Sequence, residues 1–251
     1  MDNDLKYKFI KPDKSLDDFV ESFWFLQNLS DSDKQVTVLP DGRIDLFFTK
    51  SANEPFHVIL LGIETHHNQP TITPKRQTFA ISFKPLAIEY IFQNTFSDFI
   101  GNVKHLPTDL WDFGAQDLTD FESFCQKATQ KIQSLLPKDI DERKRKLFQL
   151  IYMSKGALTV QELSDKVFWS SRQINRYFNQ HFGLSLKAYC NIIRFRASFQ
   201  LIKEGKLFPQ ENFADQSHFI KEVKKLSGVS PKELSKNKND RFIQFSTLDS
   251  K

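Results

Sequence analysis

SSRQINRYFNQHFGLS (residues 170–185) and DQSHFIKEVKKLSGVS (residues 215–230) lie on one another without a gap, 45 positions apart. Ile174 falls on Phe219, Arg176 on Lys221, Phe178 on Val223, Gly183 on Gly228 and Ser185 on Ser230. Each copy runs apolar residue, base two positions on, apolar residue two further, then Gly-x-Ser. A pattern repeated at fixed spacing marks one structural unit used twice.

The first copy reads as two helices and a tight turn. Thr159 with Glu162 forms a capping box, and Ser170 with Gln173 forms a second. Between them VQELSDKV places Val160, Leu163 and Val167 on one face, and Phe168-Trp169 makes the turn. The helix after Ser170 turns Ile174, Tyr177 and Phe178 inward and shows Ser171, Arg172, Gln173, Asn175, Arg176 and Gln180 on its other side. Such a hairpin with a basic, amide-rich face describes a helix-turn-helix, and Arg, Asn and Gln can read base edges bidentately. The second copy buries Phe219 and Val223 and shows Gln216, Ser217, His218, Lys221, Lys224 and Lys225. LKAYCNIIRFRASFQLIKEG (186–205) has helical period and is expected to join the two units as one long helix, setting them about one DNA turn apart.

Charge follows the same division. Residues 1–142 hold 14 Lys+Arg and 22 Asp+Glu, a net of −8, and residues 143–251 hold 21 and 9, a net of +12. An asymmetry of this kind points to a nucleic-acid or other anionic partner for the basic half. Pro137 and the charge run LPKDIDERKRK (136–146) place the boundary near residues 137–142.

The first hundred residues read as strands: 19–27, 36–40, 43–50, 57–64 and 78–85, rich in Val, Ile, Phe and Thr and separated by turn residues such as Pro40-Asp41-Gly42. Helical patterns follow at 86–93 and 121–136. The fold class expected is α+β in two domains. A β-rich, barrel-like domain with flanking helices spans 1–138, an all-α domain with two helix-turn-helix units spans 143–240, and 241–251 is a tail.

At these residues the region 143–240 resembles the DNA-binding domain of AraC/XylS-type transcription regulators. The elements that carry the resemblance are S-x-x-x-I-x-R-x-F in 170–178, Gly183-x-Ser185 followed by Tyr189, and DQSHF…GVSP in 215–231. It implies a seven-helix domain, with Arg172, Asn175 and Arg176 as main base-facing residues and Gln216, Ser217 and Lys221 as their second-unit counterparts. The N-terminal half resembles a sensor-type domain of a subset of that family through FVESFWFL, VLPDGRIDLFF and ISFKP, which implies a β-rich domain with an unassigned effector. The partners so implied are double-stranded DNA and an effector, with RNA polymerase and a second copy of the chain as further candidates. The sequence departs from the pattern twice. KEGKLFPQEN, where the second unit's first helix should lie, is interrupted by Pro209, which forbids a regular helix and leaves Leu207, Phe208 and Phe213 to hold the reading helix. Phe168 stands where a turn glycine is usual.

Other chemistry reads more weakly. His66 and His67 beside Glu64, with His57 nearby, suggest a metal, but adjacent strand residues face opposite ways, so a polar loop is preferred. Asp41 and Asp45 flank Arg43, and a turn with an ion pair fits better than a catalytic pair. His218 fits capping or a phosphate contact better than a general base. Phe23, Trp24, Phe25, Phe47, Phe48 and Phe79 read as core ahead of a ligand cavity. Eight glycines supply no phosphate loop, and the 26 phenylalanines and a mean hydropathy of −0.45 fit a packed, soluble chain. No apolar run approaches a membrane span, MDNDLKYKF has no secretory core, and Cys125 and Cys190 fit no metal or redox spacing. The expectation is therefore a cytoplasmic, non-enzymatic DNA-binding transcription regulator without cofactor or metal. The alternative is a ligand-binding or enzymatic β-barrel whose basic helical half is an interaction module.

Overall fold

The computed structural model describes residues 4–92, 100–207, 213 and 215–248. In the first half, strands β1 (Leu5–Ile10), β2 (Val20–Asn28), β4 (Ile44–Lys50), β5 (His57–Leu61), β7 (Gln77–Phe83) and β8 (Val103–Leu106) form one antiparallel sheet in the order β1-β2-β7-β4-β5-β8. A second, two-stranded ladder joins β3 (Lys34–Gln35) to β6 (Thr71–Ile72). Helix α1 (Leu86–Tyr90) follows β7, and α2 (Phe121–Leu135) precedes the helical half.

Both faces of the sheet are covered, which explains the consecutive apolar residues Phe23 to Leu26 in β2. Phe23, Phe25, Phe48 and Phe79 point to one side, where Phe121, Phe124 and Phe113 meet them with ring centroids 4.8 to 5.8 Å apart (Phe48–Phe113, Phe25–Phe121). Strand alternation sends Trp24 and Phe47 to the other side, where their rings meet edge-on at 5.4 Å. The aromatic surplus thus divides: most of it is core, and Trp24 with Phe47 lines a cavity.

Leu136 takes extended backbone before Pro137, as the residue ahead of a proline must, and α2 ends there. Asp141 then accepts the backbone N–H of Arg143 and opens α3 (Glu142–Met153). It is followed by α4 (Val160–Val167), α5 (Ser171–Phe182), α6 (Leu186–Ala197), α7 (Phe199–Lys203), α8 (Gln216–Ser227) and α9 (Pro231–Lys236). These are seven helices among the described residues, and α10 (Ile243–Ser246) lies in the tail. No helix among them is long and apolar enough to cross a membrane. Cys125 and Cys190 are both buried, and burial pushes each thiol up to about 12.

Three expectations need correction, and the tail, expected only as a tail, is docked. Residues 36–40 are not a ladder strand: Thr37 bridges Phe242 and Val38 bridges Asn68, each singly. The strand from His57 stops at Leu61. The helix expected over 186–205 breaks at Ser198, whose hydroxyl donates to the Phe195 carbonyl and turns the chain into the short α7. The tail is not free. Thr37 N–H donates to the Arg241 carbonyl at 2.6 Å, and the Gln244 side chain makes a two-way amide pair with the Leu39 backbone at 2.9 and 3.1 Å. Residues 241–248 are thereby seated on the β-rich half. Strands β1, β3, β6 and β8 were not anticipated.

Candidate nucleic-acid interface

The two copies quoted above fold alike. Helices α5 and α8 each span 12 residues, opened by Ser170 and Asp215, whose side chains accept otherwise unpaired N–H groups of the first turn: Gln173 N–H and His218 N–H. Both close on a left-handed glycine, Gly183 (φ 69°) and Gly228 (φ 77°). Ser185 and Ser230 then cap α6 and α9. Gly-x-Ser is therefore a stop signal followed by a start signal, and this is what the repeat encodes.

In the first unit both expected capping boxes form: Thr159 with Glu162 and Ser170 with Gln173. Phe168 makes the turn in the left-handed region (φ 53°, ψ 41°), and its ring is 88% exposed. Trp169 rests against Tyr177 with centroids 5.3 Å apart. Ile174, Tyr177, Phe178 and Phe182 are buried. Arg172, Gln173, Arg176 and Gln180 are exposed together, whereas Ser171 and Asn175 are half-buried. Arg172, Arg176 and Gln180 have no side-chain partner among the described residues. Gln173 gives its carbonyl oxygen to the Ser170 cap, so only its NH2 faces outward. Asn175 donates to the Ser171 carbonyl at 3.0 Å. Three of the six expected residues are thus wholly available, and three are partly engaged in building the helix.

In the second unit Gln216, Ser217, Lys221, Lys224 and Lys225 are exposed. His218 is half-buried, with its ring 5.9 Å from Phe213 and its Nδ1 unpartnered. Phe213 also packs on Phe219 at 5.0 Å and lies under the Arg194 guanidinium at 5.7 Å, holding the start of α8 from a loop, as expected. Phe208 and Pro209 lie outside the described residues. Helix α6 packs against both α5 and α8 and fixes one to the other.

Sequence reasoning missed how the acidic half grips this domain. Lys144 of α3 pairs with Glu89 of α1, and Tyr177 of α5 donates to the same carboxylate at 3.0 Å. Arg145 meets Asp18 at 3.0 Å, and Arg196 of α6 pairs with Glu21. In all three the acid lies in the N-terminal half and the base in the C-terminal half. Burial pushes Glu21 upward, but Arg196 outweighs it and holds the carboxyl below its usual range. Burial, then Glu89, raises the Tyr177 hydroxyl, which stays protonated as the donor. No local pattern could have revealed partners this far apart in the chain. Arg43 pairs with Asp41 rather than with Asp45, its Nε donating at 2.7 Å, as a turn with an ion pair requires. Among the described residues no group of three or more His, Cys, Asp or Glu converges as a metal site.

Residues 163–237 match the helix-turn-helix domain family, and residues 8–104 match a domain of unknown function (DUF6597). No curated protein matches the chain. Among solved structures, ToxT from Vibrio cholerae (P21 form) is 14% identical, with a TM-score of 0.44 over 91% of this chain and 96% of that one. ToxT from Vibrio cholerae O395 gives 14% identity and a TM-score of 0.41 over 92% and 96%. The same protein bound to (E)-4-(8-methylnaphthalen-1-yl)but-3-enoic acid gives 14% and 0.42 over 91% and 96%. Similarity at this level is low, and no residue role is carried over from it.

Proposed function

We propose that the chain, with a helix-turn-helix domain in its C-terminal half and a β-rich domain ahead of it, is a DNA-binding transcription regulator that reads a specific duplex by setting α5 and α8 into successive major grooves. The observation that carries this reading is the exposed face of α5. Arg172, Arg176 and Gln180 stand there without intramolecular partners among the described residues, on a helix whose back is fixed by Tyr177 and Phe178. Free guanidinium and amide groups on a rigid helix are what direct base readout needs. On α8 the lysines offer point charges, which suit phosphate.

The acidic half acts as the regulator in this reading. Its three cross-domain ion pairs hold the basic half in one arrangement, and an effector or partner that loosens them alters DNA affinity. The cytoplasm is the compartment this implies, with RNA polymerase or a second copy of the chain as protein partners.

Selection of bound duplexes from a random library by the full-length protein tests the proposal. Recovery of one recurrent motif, with half-sites about one helical turn apart, is expected. Recovery of unenriched sequence overturns it.

A further inference from the structure

A cavity of ≈ 260 Å³ lies between the Trp24–Phe47 face of the sheet and the β3–β6 ladder, and Ile243, Gln244 and Thr247 of the docked tail complete its wall. The wall is mainly apolar, as small-molecule sites are, with polar and charged groups set into it. Those groups are unevenly charged. Asp41 is matched by Arg43 through the bidentate pair. Asp45, two residues on and on the same face, accepts only neutral donors, such as the Ser82 hydroxyl. Glu64 is nine-tenths buried. Its Oε1 accepts from Asn68 Nδ2 at 2.7 Å, and its Oε2 has no partner among the described residues. The wall's other cation, Arg76, stands just ahead of Gln77, at the opposite end of β7 from Ser82. Tyr7 contributes a phenol, and the tail contributes no charged group.

We propose that this cavity binds a small organic cation, an ammonium carried on an apolar or aromatic body, with the ammonium between Asp45 and Glu64 and the body against Trp24, Phe47 and Ile59. Asp45 shares the single cation Arg43 with Asp41, and no basic group offsets Glu64 among the described residues; a shortfall of positive charge in apolar surroundings is unfavourable, and a bound ammonium relieves it. Trp24 and Phe47 add ring faces suited to a cation. Burial raises Glu64 to about 7, with the Asn68 hydrogen bond opposing it, and raises Asp45 against the pull of Arg43. The site therefore holds protons that a ligand cation can replace. A neutral polyol supplies no positive charge to the acidic end, and an organic anion meets like charge.

The position gives binding a route to the reader. His67, between Glu64 and Asn68 in the chain, touches the left-handed Gly228 that ends α8: a Cβ on Gly228 would stand 2.5 Å from the His67 ring. The regulatory meaning of the site rests on the proposed function, whereas the binding itself does not.

The test uses the full-length protein without DNA. Tryptamine and phenethylamine are titrated by calorimetry against tryptophol and 2-phenylethanol, with indole-3-acetate and arabinose as further probes. The amines are expected to bind at least about tenfold more tightly than their alcohols. Their binding should tighten from about pH 6 to about pH 8 as Glu64 gives up its proton. The preference should fall in Asp45→Asn and Glu64→Gln, checked for folding by circular dichroism. If either variant unfolds, the wild-type series alone decides. Equal binding of amine and alcohol, preference for the acid or the sugar, or binding of none of them overturns the proposal. Amine binding by a protein that selects no DNA motif overturns the proposed function instead.

Discussion

Tyr189 of α6 donates its hydroxyl hydrogen to the carbonyl of Gly42, 3.2 Å away, across the junction of the two halves. Tyr152 extends the chain, 2.8 Å from the Tyr189 oxygen. Gly42 has φ 78°, and a Cβ there would stand 2.8 Å from Ile193 Cδ1 and 3.1 Å from Tyr189 Cε2. The Asp41–Arg43 turn is therefore fitted onto the helix that packs against both reading helices. Tyr189→Phe should lower the stability of the full chain by about 1–2 kcal/mol, since it leaves two buried polar groups short of a partner. Gly42→Ala should lower it by more, through strain and contact together. Urea unfolding measures both, and unchanged midpoints would mean that the junction contributes nothing.

Glu89 is the acid that touches the first reading unit directly, through Lys144 and Tyr177. Glu89→Gln keeps the shape and removes the charge. The variant should bind non-specific duplex more tightly at low salt, because Lys144 is released and the acidic half holds less firmly. The gain should fade as salt is raised. Filter binding across a salt series checks this, and weaker binding at low salt would show that Glu89 supports the reader instead of restraining it.

Phe168 holds a left-handed conformation that costs an ordinary L-residue about 1–2 kcal/mol. Its exposed ring recovers little, with one lysine, Lys146, 5.6 Å from the centroid. Phe168→Gly should stabilise the protein by about 1 kcal/mol in a thermal or urea melt. A loss of stability would mean that the ring packs in solution. A gain of stability with a loss of DNA affinity would place the ring at the duplex.

The helical half was legible because its signals are local. Ser, Thr and Asp caps open most of its helices, left-handed glycines close α5 and α8, and the two capping boxes read at Thr159 and Ser170 form. The β-rich half was legible only where apolar runs are long. LKYKFI, now β1, hides a strand behind three polar positions, because it lies at the sheet edge. VTVLP looks like a strand, yet its backbone bonds go to Arg241, Gln244 and Asn68, partners that no window of sequence contains. The tail's docking and the three cross-domain ion pairs were hidden for the same reason. Asn175 and Gln173 were chosen for their chemistry as readers, and only the structure shows that part of each is engaged in its own helix.

Glu64 links pH to stability in a definite direction. Its carboxyl is held near 7 in the folded chain, against 4.5 ordinarily. A raised folded value means that the native state holds the proton more tightly. The stabilising contribution is thus complete below 4.5 and is lost as pH rises through 7. Glu64→Gln has no proton to lose. The variant should gain on the wild type over that window, by up to about 3 kcal/mol. Acid effects from Asp41 and Glu21, whose carboxyls are held low, are common to both proteins and cancel in the difference. Urea melts at several pH values measure it, and a difference that does not change with pH would show that Glu64 is solvated.

The two reading helices should contribute unequally. Helix α5 presents Arg172 and Arg176, whose forked guanidinium groups can take two acceptors on one base, whereas α8 presents Lys221, Lys224 and Lys225. The supports differ too. Helix α5 follows a three-residue turn from a capped helix, while α8 follows the longer stretch after Lys203 and leans on Phe213. Arg176→Ala should therefore weaken the preferred site by roughly 1–3 kcal/mol and relax the preference at one or two base pairs. Lys224→Ala should weaken all duplexes alike and lower the salt slope by about one. Both changes remove one positive charge, so charge alone cannot separate them, and library selection with each variant can. If Lys224→Ala shifts the selected motif while Arg176→Ala leaves it intact, the roles are reversed and α8 is the reader.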